Sequence, residues 1–247
     1  MYNAIDYILT VSNADKRMFE SYALTHPVLD TVGDTRYDQV WQRSADSKTR
    51  HIIPAQILAG KNIVVIGSSW QEDEERLLPA LFRLLRQEPR TLIIMVPHEP
   101  HLETLERIEG ELNGHANHIR FSDLADYDNE TFIIIDSVGI LMTLYQYAHV
   151  AYVGGSFQQG VHNVLEPASY GIPIILGPKH HNSREAEELI VQGAAFVGEE
   201  SESLYLHLTS LFTDEPKRLT AGRKALDLVR QNIGATERFL SYLEKVL

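Results

Sequence analysis

Short aliphatic runs recur along this chain, and they are apolar on successive residues rather than on alternate ones: NIVVIG at 62–67, TLIIMV at 91–96, FIIID at 132–136 and PIIL at 173–176. A strand that presents apolar groups to both sides must be covered on both sides. Parallel sheets sandwiched between helices meet that demand, because each crossover lays a helix on one face. Further short runs at 7–11, 28–32, 118–121, 149–153 and 194–197 extend the series. The stretches between them have helical period. In 72–87, Leu77, Leu81, Leu84 and Leu85 fall on one stripe. Segments 164–170, 184–191 and 204–212 also read as helices, and 235–247 places Phe239, Leu243, Val246 and Leu247 together at helical spacing. Strand and helix in alternation predict an α/β fold with a doubly wound, Rossmann-like parallel sheet.

Composition removes several functions. The 22 basic and 34 acidic residues among 247 leave a formal charge of −12. That balance argues against nucleic acid as a partner and against independent docking on an anionic membrane, since both need clustered Lys and Arg. Without cysteine there is no disulfide framework, no thiolate metal site and no thiol catalysis. No apolar run approaches the ~20 residues of a spanning helix. The opening MYNAIDYILTV lacks the basic-then-apolar order of a signal peptide. The chain is expected to be soluble.

The polar stretch QRSADSKTR, 42–50, reads as a linker. It separates a small strand–helix–strand unit, 1–41, from the main α/β domain, 51–247.

Chemistry concentrates where strands end. The segment YVGGSFQQGVHNVLEPASYGIPIILGP, 152–178, closes a strand with Gly154 and Gly155 and then opens a short helix at Asn163, an N-cap residue type. A glycine-rich loop meeting a helix N-terminus at the carboxyl end of a parallel strand is where doubly wound sheets hold anionic ligands. Glu166, in the first turn, could accept hydrogen bonds from a ribose diol or simply complement the helix dipole. Ser68 and Ser69 follow the strand 62–67 in the same way, as a phosphate cradle or as a satisfied turn with Ser69 as N-cap. His98 follows 91–96, as a phosphate donor, an acid–base group or a helix entry. Asp136–Gly139 forms a fourth loop on the same edge. A metal is not expected. His180 and His181 are adjacent and point apart on regular structure, and no His-x-x-x-His pair falls on a predicted helix. Nucleophile-elbow, Walker and Gly-x-Gly-x-x-Gly motifs are absent, which counts against NAD.

The run GGS, then HNVLEPASYGIPIILGP, then Asn182, resembles the C-terminal domain of the 3-deoxy-D-manno-octulosonic acid (Kdo) transferases, whose pattern is roughly GGS…GGHNxLEPAxxGxPVxxGP. Other segments match in order. TVSNADKRMF is similar to SxxDAERF, TVGDTRYD to VTGNLKFD, IGSSWQEDEE to GSTHxGEEE, MVPHEPHLE to VPRHPERF, and DSVGILMTLYQYAHVAYVGGS to DTMGELxxLYxxADVAFVGGS.

The resemblance implies the C-terminal half of a glycosyltransferase-B fold. It implies an inverting enzyme that uses neither metal nor cofactor and transfers Kdo from CMP-Kdo to a lipid A precursor in lipopolysaccharide synthesis. Carried over by position, Asn163 and Glu166 hold the ribose and the phosphate surroundings, and Gly155 and Ser156 line the donor site. Ser68, with Ser69 beside it, lies near phosphate or Kdo, and the backbone of Val138, Gly139 and Ile140 faces cytosine. Two positions depart from the pattern: His98 replaces an Arg, and Ile140 replaces a Glu. The family's acceptor site, catalytic acidic residue and membrane anchor lie in an N-terminal domain, so no general base is named here and this chain alone is expected to be inactive. The full-length enzyme would then sit at the cytoplasmic side of the inner membrane. A UDP-sugar enzyme of the same fold and a non-catalytic nucleotide-binding module are the alternatives.

Overall fold

The computed structural model describes residues 2–246, with only the backbone of Val246. Contacts divide the chain into two units, residues 1–43 with 228–247, and residues 44–227.

The first unit pairs β1 (Tyr7–Thr10) in parallel with β2 (Val28–Thr31), joined through α1 (Asn13–Glu20). It also contains most of α2 (Thr35–Ser47). The second unit runs α3 (Ala55–Leu58), β3 (Asn62–Ser69), α4 (Gln71–Gln87), β4 (Thr91–Pro97), α5 (Leu102–Leu112), β5 (His118–Arg120), β6 (Phe132–Ile134), α6 (Leu141–Leu144), β7 (Val150–Val153), α7 (Leu165–Ser169), β8 (Ile174–Leu176), α8 (Arg184–Gln192), β9 (Ala195–Val197) and α9 (Ser201–Thr213). Helix α10 (Glu215–Asn232) leads out of it, and α11 (Ala235–Val246) returns to the first unit.

Seven strands form one parallel sheet in the order β5-β6-β4-β3-β7-β8-β9. The double apolar character of the strands has the predicted cause. On β3, Val64 and Ile66 pack with Leu77, Leu81 and Leu84 of α4, while Ile63 and Val65 pack on the opposite layer with Ile57, Leu144 and Tyr145. Residues such as Ile66, Ile94 and Ile133 are fully buried, and each such side chain contributes about 1.5–3 kcal/mol by leaving water. The chain builds β4, β5 and β6 on one side of β3, then crosses back to β7 on the other. The order therefore reverses between β3 and β7, and the crevice outside their carboxyl ends is the switch point of the sheet.

The domain limits differ from expectation. Residues 42–47, expected in a linker, complete α2, because Arg43, Ser44, Ala45, Asp46 and Ser47 contain no helix breaker. Helix α11, expected in the main domain, packs in the first unit. The carboxylate of Asp38 accepts from the backbone N–H of Gly234 and from that of Thr236 (2.7 Å), capping α11, and Arg238 Nε donates to the Val32 carbonyl at 2.7 Å. Burial alone would raise the Asp38 carboxyl, but those N–H groups and the Arg238 charge outweigh it and lower it. The apolar stripe foreseen on α11 stays partly open, with Leu243 41% exposed. Leu247 and the side chain of Val246 lie outside the described residues.

Candidate functional site

Three strands are laced together at their carboxyl ends. The Ser69 carbonyl accepts from His98 N–H at 2.9 Å, joining β3 to the end of β4, and the Gly67 carbonyl accepts from Gly154 N–H at 2.9 Å, joining it to the end of β7. Between these bonds the β3 register slips, and Ser68 takes a left-handed conformation with φ 54°. The backbones approach so closely that a Cβ on Gly154 would lie 2.2 Å from the Ser68 carbonyl oxygen. Only glycine fits there. The half-buried Ser68 lines a cavity of about 140 Å³ together with His98, Ser137, Val138 and Gly139. Three loops expected to carry chemistry thus share one hollow. Val138 is exposed above it, while the Ile140 side chain packs into the core below and leaves the backbone of 138–140 at the rim.

The glycine-rich turn is held by an acid that sequence reasoning did not single out. Asp73, in the first turn of α4, is buried and accepts three bonds: from the Tyr152 hydroxyl (2.7 Å), from Gly155 N–H (2.8 Å) and from Trp70 N–H (3.0 Å). Burial pushes its carboxyl up, and the three donors offset this only in part. Gly155 turns with φ 90° to present that N–H. The next residue, Glu74, is also fully buried, and its carboxylate accepts from the Ser69 hydroxyl at 2.7 Å and from Arg107. Burial raises Glu74 as well, against the pull of Ser69 and Arg107.

Two expected side chains are therefore turned away from the crevice. Ser69 spends its hydroxyl on Glu74 and does not cap α4. Ser156 has no exposed surface. Its hydroxyl accepts from Gly177 N–H at 2.6 Å and its carbonyl from Lys179 N–H at 2.8 Å, so it anchors the glycine-rich loop to the end of β8. The Gly155 N–H is likewise committed to Asp73. Asn163 is exposed; its Oδ1 accepts from Leu165 N–H (3.1 Å) and its Nδ2 donates to Glu166 Oε1 (3.2 Å). Helix α7 has only five residues, shorter than the expected 164–170, so few peptide dipoles add at its N-terminus.

Three rings stand at this edge. Trp70 Nε1 donates to His162 Nε2 at 2.8 Å, and the exposed His98 stacks on both, 4.4 Å from Trp70 and 4.5 Å from His162. Accepting that bond requires a free lone pair on His162 Nε2, so the ring is neutral with its proton on Nδ1. Burial, followed by the His98 charge, lowers its pKa, against a smaller opposing pull from Asp73.

His180 and His181 do not point apart. They lie in a turn rather than in regular structure, and both reach Glu187 of α8.

No family model matches the chain. It is 26% identical, over its whole length, to a 3-deoxy-D-manno-octulosonic acid transferase of Haemophilus influenzae, and spans 58% of that relative. Among solved structures, the C-terminal CMP-Kdo binding domain of WaaA from Acinetobacter baumannii matches with a TM-score of 0.63 and 21% identity, over 79% of this chain and 98% of that one. An α,α-trehalose-phosphate synthase (UDP-forming) from Burkholderia vietnamiensis matches with a TM-score of 0.55 and 16% identity, over 98% and 59%. The fold is that of the C-terminal half of glycosyltransferase-B enzymes.

Proposed function

We propose, with the likeness to the Kdo transferases as the premise, that this chain is the donor-binding part of a glycosyltransferase that moves Kdo from CMP-Kdo to a lipid A precursor. One observation carries the reading. The loops after β3, β4 and β6 converge on a single small cavity at the carboxyl edge of the sheet, and the Asn163–Glu166 pair follows β7, the neighbour of β3 on its other side.

The pyrimidine would occupy the hollow against the backbone of Val138, Gly139 and Ile140, where peptide N–H and C=O groups read its edge. Glu166, oriented by Asn163 Nδ2, would accept from the ribose diol. The phosphate would lie by Ser68 and His98, with the hydroxyl and the imidazole as donors to the charge that grows on CMP as it leaves. Five residues of helix supply little dipole, and Gly155 N–H is taken. Side-chain donors therefore carry more of the phosphate than a glycine-loop cradle would. The acceptor, the general base and a peripheral place at the inner membrane concern the whole protein; no helix among the described residues is long and apolar enough to cross a membrane.

Titration with CMP, read by backbone amide NMR, tests this. Saturable shifts at Ser68, His98, Gly139 and Asn163, with UMP at least about tenfold weaker, are expected. Equal affinity for UMP would transfer the reading to a UDP-sugar enzyme, and unmoved amides would end it.

A further inference from the structure

The segment after β8 makes a sharp turn, closed by Ser183 N–H donating to the His180 carbonyl at 3.0 Å, and Ser183 then caps α8 through the N–H of Ala186. That turn swings two adjacent imidazoles onto one side of the helix. Nδ1 of His180 and Nδ1 of His181 both meet Oε1 of Glu187, the latter at 2.8 Å, and the ligand atoms of the three residues lie within 4.8 Å of one another. His180 is largely enclosed, with 14% of its side chain exposed, whereas His181 is 80% exposed.

We propose that His180, His181 and Glu187 form a binding site for a divalent transition-metal ion of the zinc class. Two imidazole nitrogens and one carboxylate oxygen are the donor set such ions prefer where no thiolate is present. Bond lengths near 2.0–2.2 Å put ligand atoms about 3.3 Å apart on a tetrahedral ion, so the three groups need move by less than about 1 Å to admit it. Each imidazole would bind the ion through Nδ1 and carry its proton on Nε2. The open side at His181 leaves room for water as a further ligand.

The ion would act on the glycine-rich loop. Asn182, the residue after His181, accepts from Val161 N–H at 3.1 Å and donates to the Val161 carbonyl at 3.0 Å, while the Lys179 carbonyl accepts from the same N–H at 3.0 Å. Fixing the turn 180–183 fixes the clasp on Val161. The site stands on its own residues and does not depend on the proposed donor.

Calorimetry of the full chain with Zn²⁺ alone, and visible spectroscopy with Co²⁺ alone, would test it. One saturable Zn²⁺ equivalent is expected, with d–d bands of a low-coordinate nitrogen–oxygen site. His181→Ala, at an exposed position, and Glu187→Gln, at a half-buried one, should each weaken binding about tenfold or more, while His98→Ala leaves it unchanged. Histidine ¹⁵N shifts should assign the ion to Nδ1 of His180 and His181. Wild-type affinity in the His181→Ala/Glu187→Gln double variant, or the absence of saturable binding, would overturn the site. Zn²⁺ should also slow hydrogen exchange at Val161 N–H; an unchanged rate with metal bound would overturn the clasp.

Discussion

Asp73 is the residue on which the glycine-rich turn depends, and replacing it separates two physical effects. Asp73→Ala takes the acceptor from two buried donors, the Tyr152 hydroxyl and Gly155 N–H, and from the half-buried Trp70 N–H. An orphaned buried donor costs about 1–3 kcal/mol, and water entering the vacated space recovers part of the sum, so a loss of about 3–5 kcal/mol is expected. Asp73→Asn is milder, at about 1 kcal/mol: its amide oxygen serves the two N–H groups and its NH₂ faces a tyrosine oxygen that can turn to accept. The two variants also differ from wild type in pH dependence. Burial raises the Asp73 carboxyl above its unfolded value, so as pH rises the unfolded chain loses this proton first. The stabilising contribution of this group is then full below the ordinary carboxyl range and declines as pH rises through the elevated folded value. The penalty of Asp73→Asn should accordingly be largest near pH 4 and shrink toward neutrality. Urea unfolding of wild type and both variants across that range measures it. A penalty that grows with pH would mean that the three donors, not burial, dominate. A loss below about 1 kcal/mol for Asp73→Ala would refute the pinning argument itself.

Other outcomes follow from the same geometry. Glu166→Gln should weaken CMP binding by about 1.5–3 kcal/mol and 2′-deoxy-CMP binding much less; equal losses by calorimetry would reduce Glu166 to a surface charge of α7. Gly154→Ala, with its Cβ 2.2 Å from the Ser68 carbonyl, should destabilise by more than the 1–3 kcal/mol typical of overpacking, or shift the Ser68 backbone, as thermal melts and amide shifts would reveal. His98→Ala uncovers His162 and removes the neighbouring ring stacked 4.5 Å from it, and both changes should raise the His162 pKa in an NMR titration; a fall would refute burial and His98 as its causes.

The inner strands β3, β4, β6 and β7 were legible because their residues are apolar toward both layers, a pattern that needs no knowledge of neighbours. Helix α10 was not. Its buried face is made of Ala221, Ala225, Leu228 and Val229, and small residues blunt the apolar stripe that marks a helix. The candidate loops were readable from their position at strand ends, but the groups that hold them were not. Asp73 looks like a charge complementing the α4 dipole until its partner Gly155, 82 residues away, is in place. His162, adjacent to Asn163, could have been weighed as a site residue on that ground; its bond to Trp70 spans 92 residues and leaves no local trace. The rule that adjacent histidines diverge failed at His180 and His181 because it presumes regular backbone, and Ser183 closes a turn there.

The capping of α11 by Asp38 has a consequence for how this chain is made. Residues 44–227 are contiguous and hold the seven-stranded sheet, so they can fold as they leave the ribosome. The first unit cannot follow that order. Its strands precede α11 along the chain, yet Asp38 meets Thr236 across 198 residues. At about 5–20 residues per second, roughly 10–40 s pass before that partner emerges. Throughout that interval Asp38 is without the N–H groups that the start of α11 supplies.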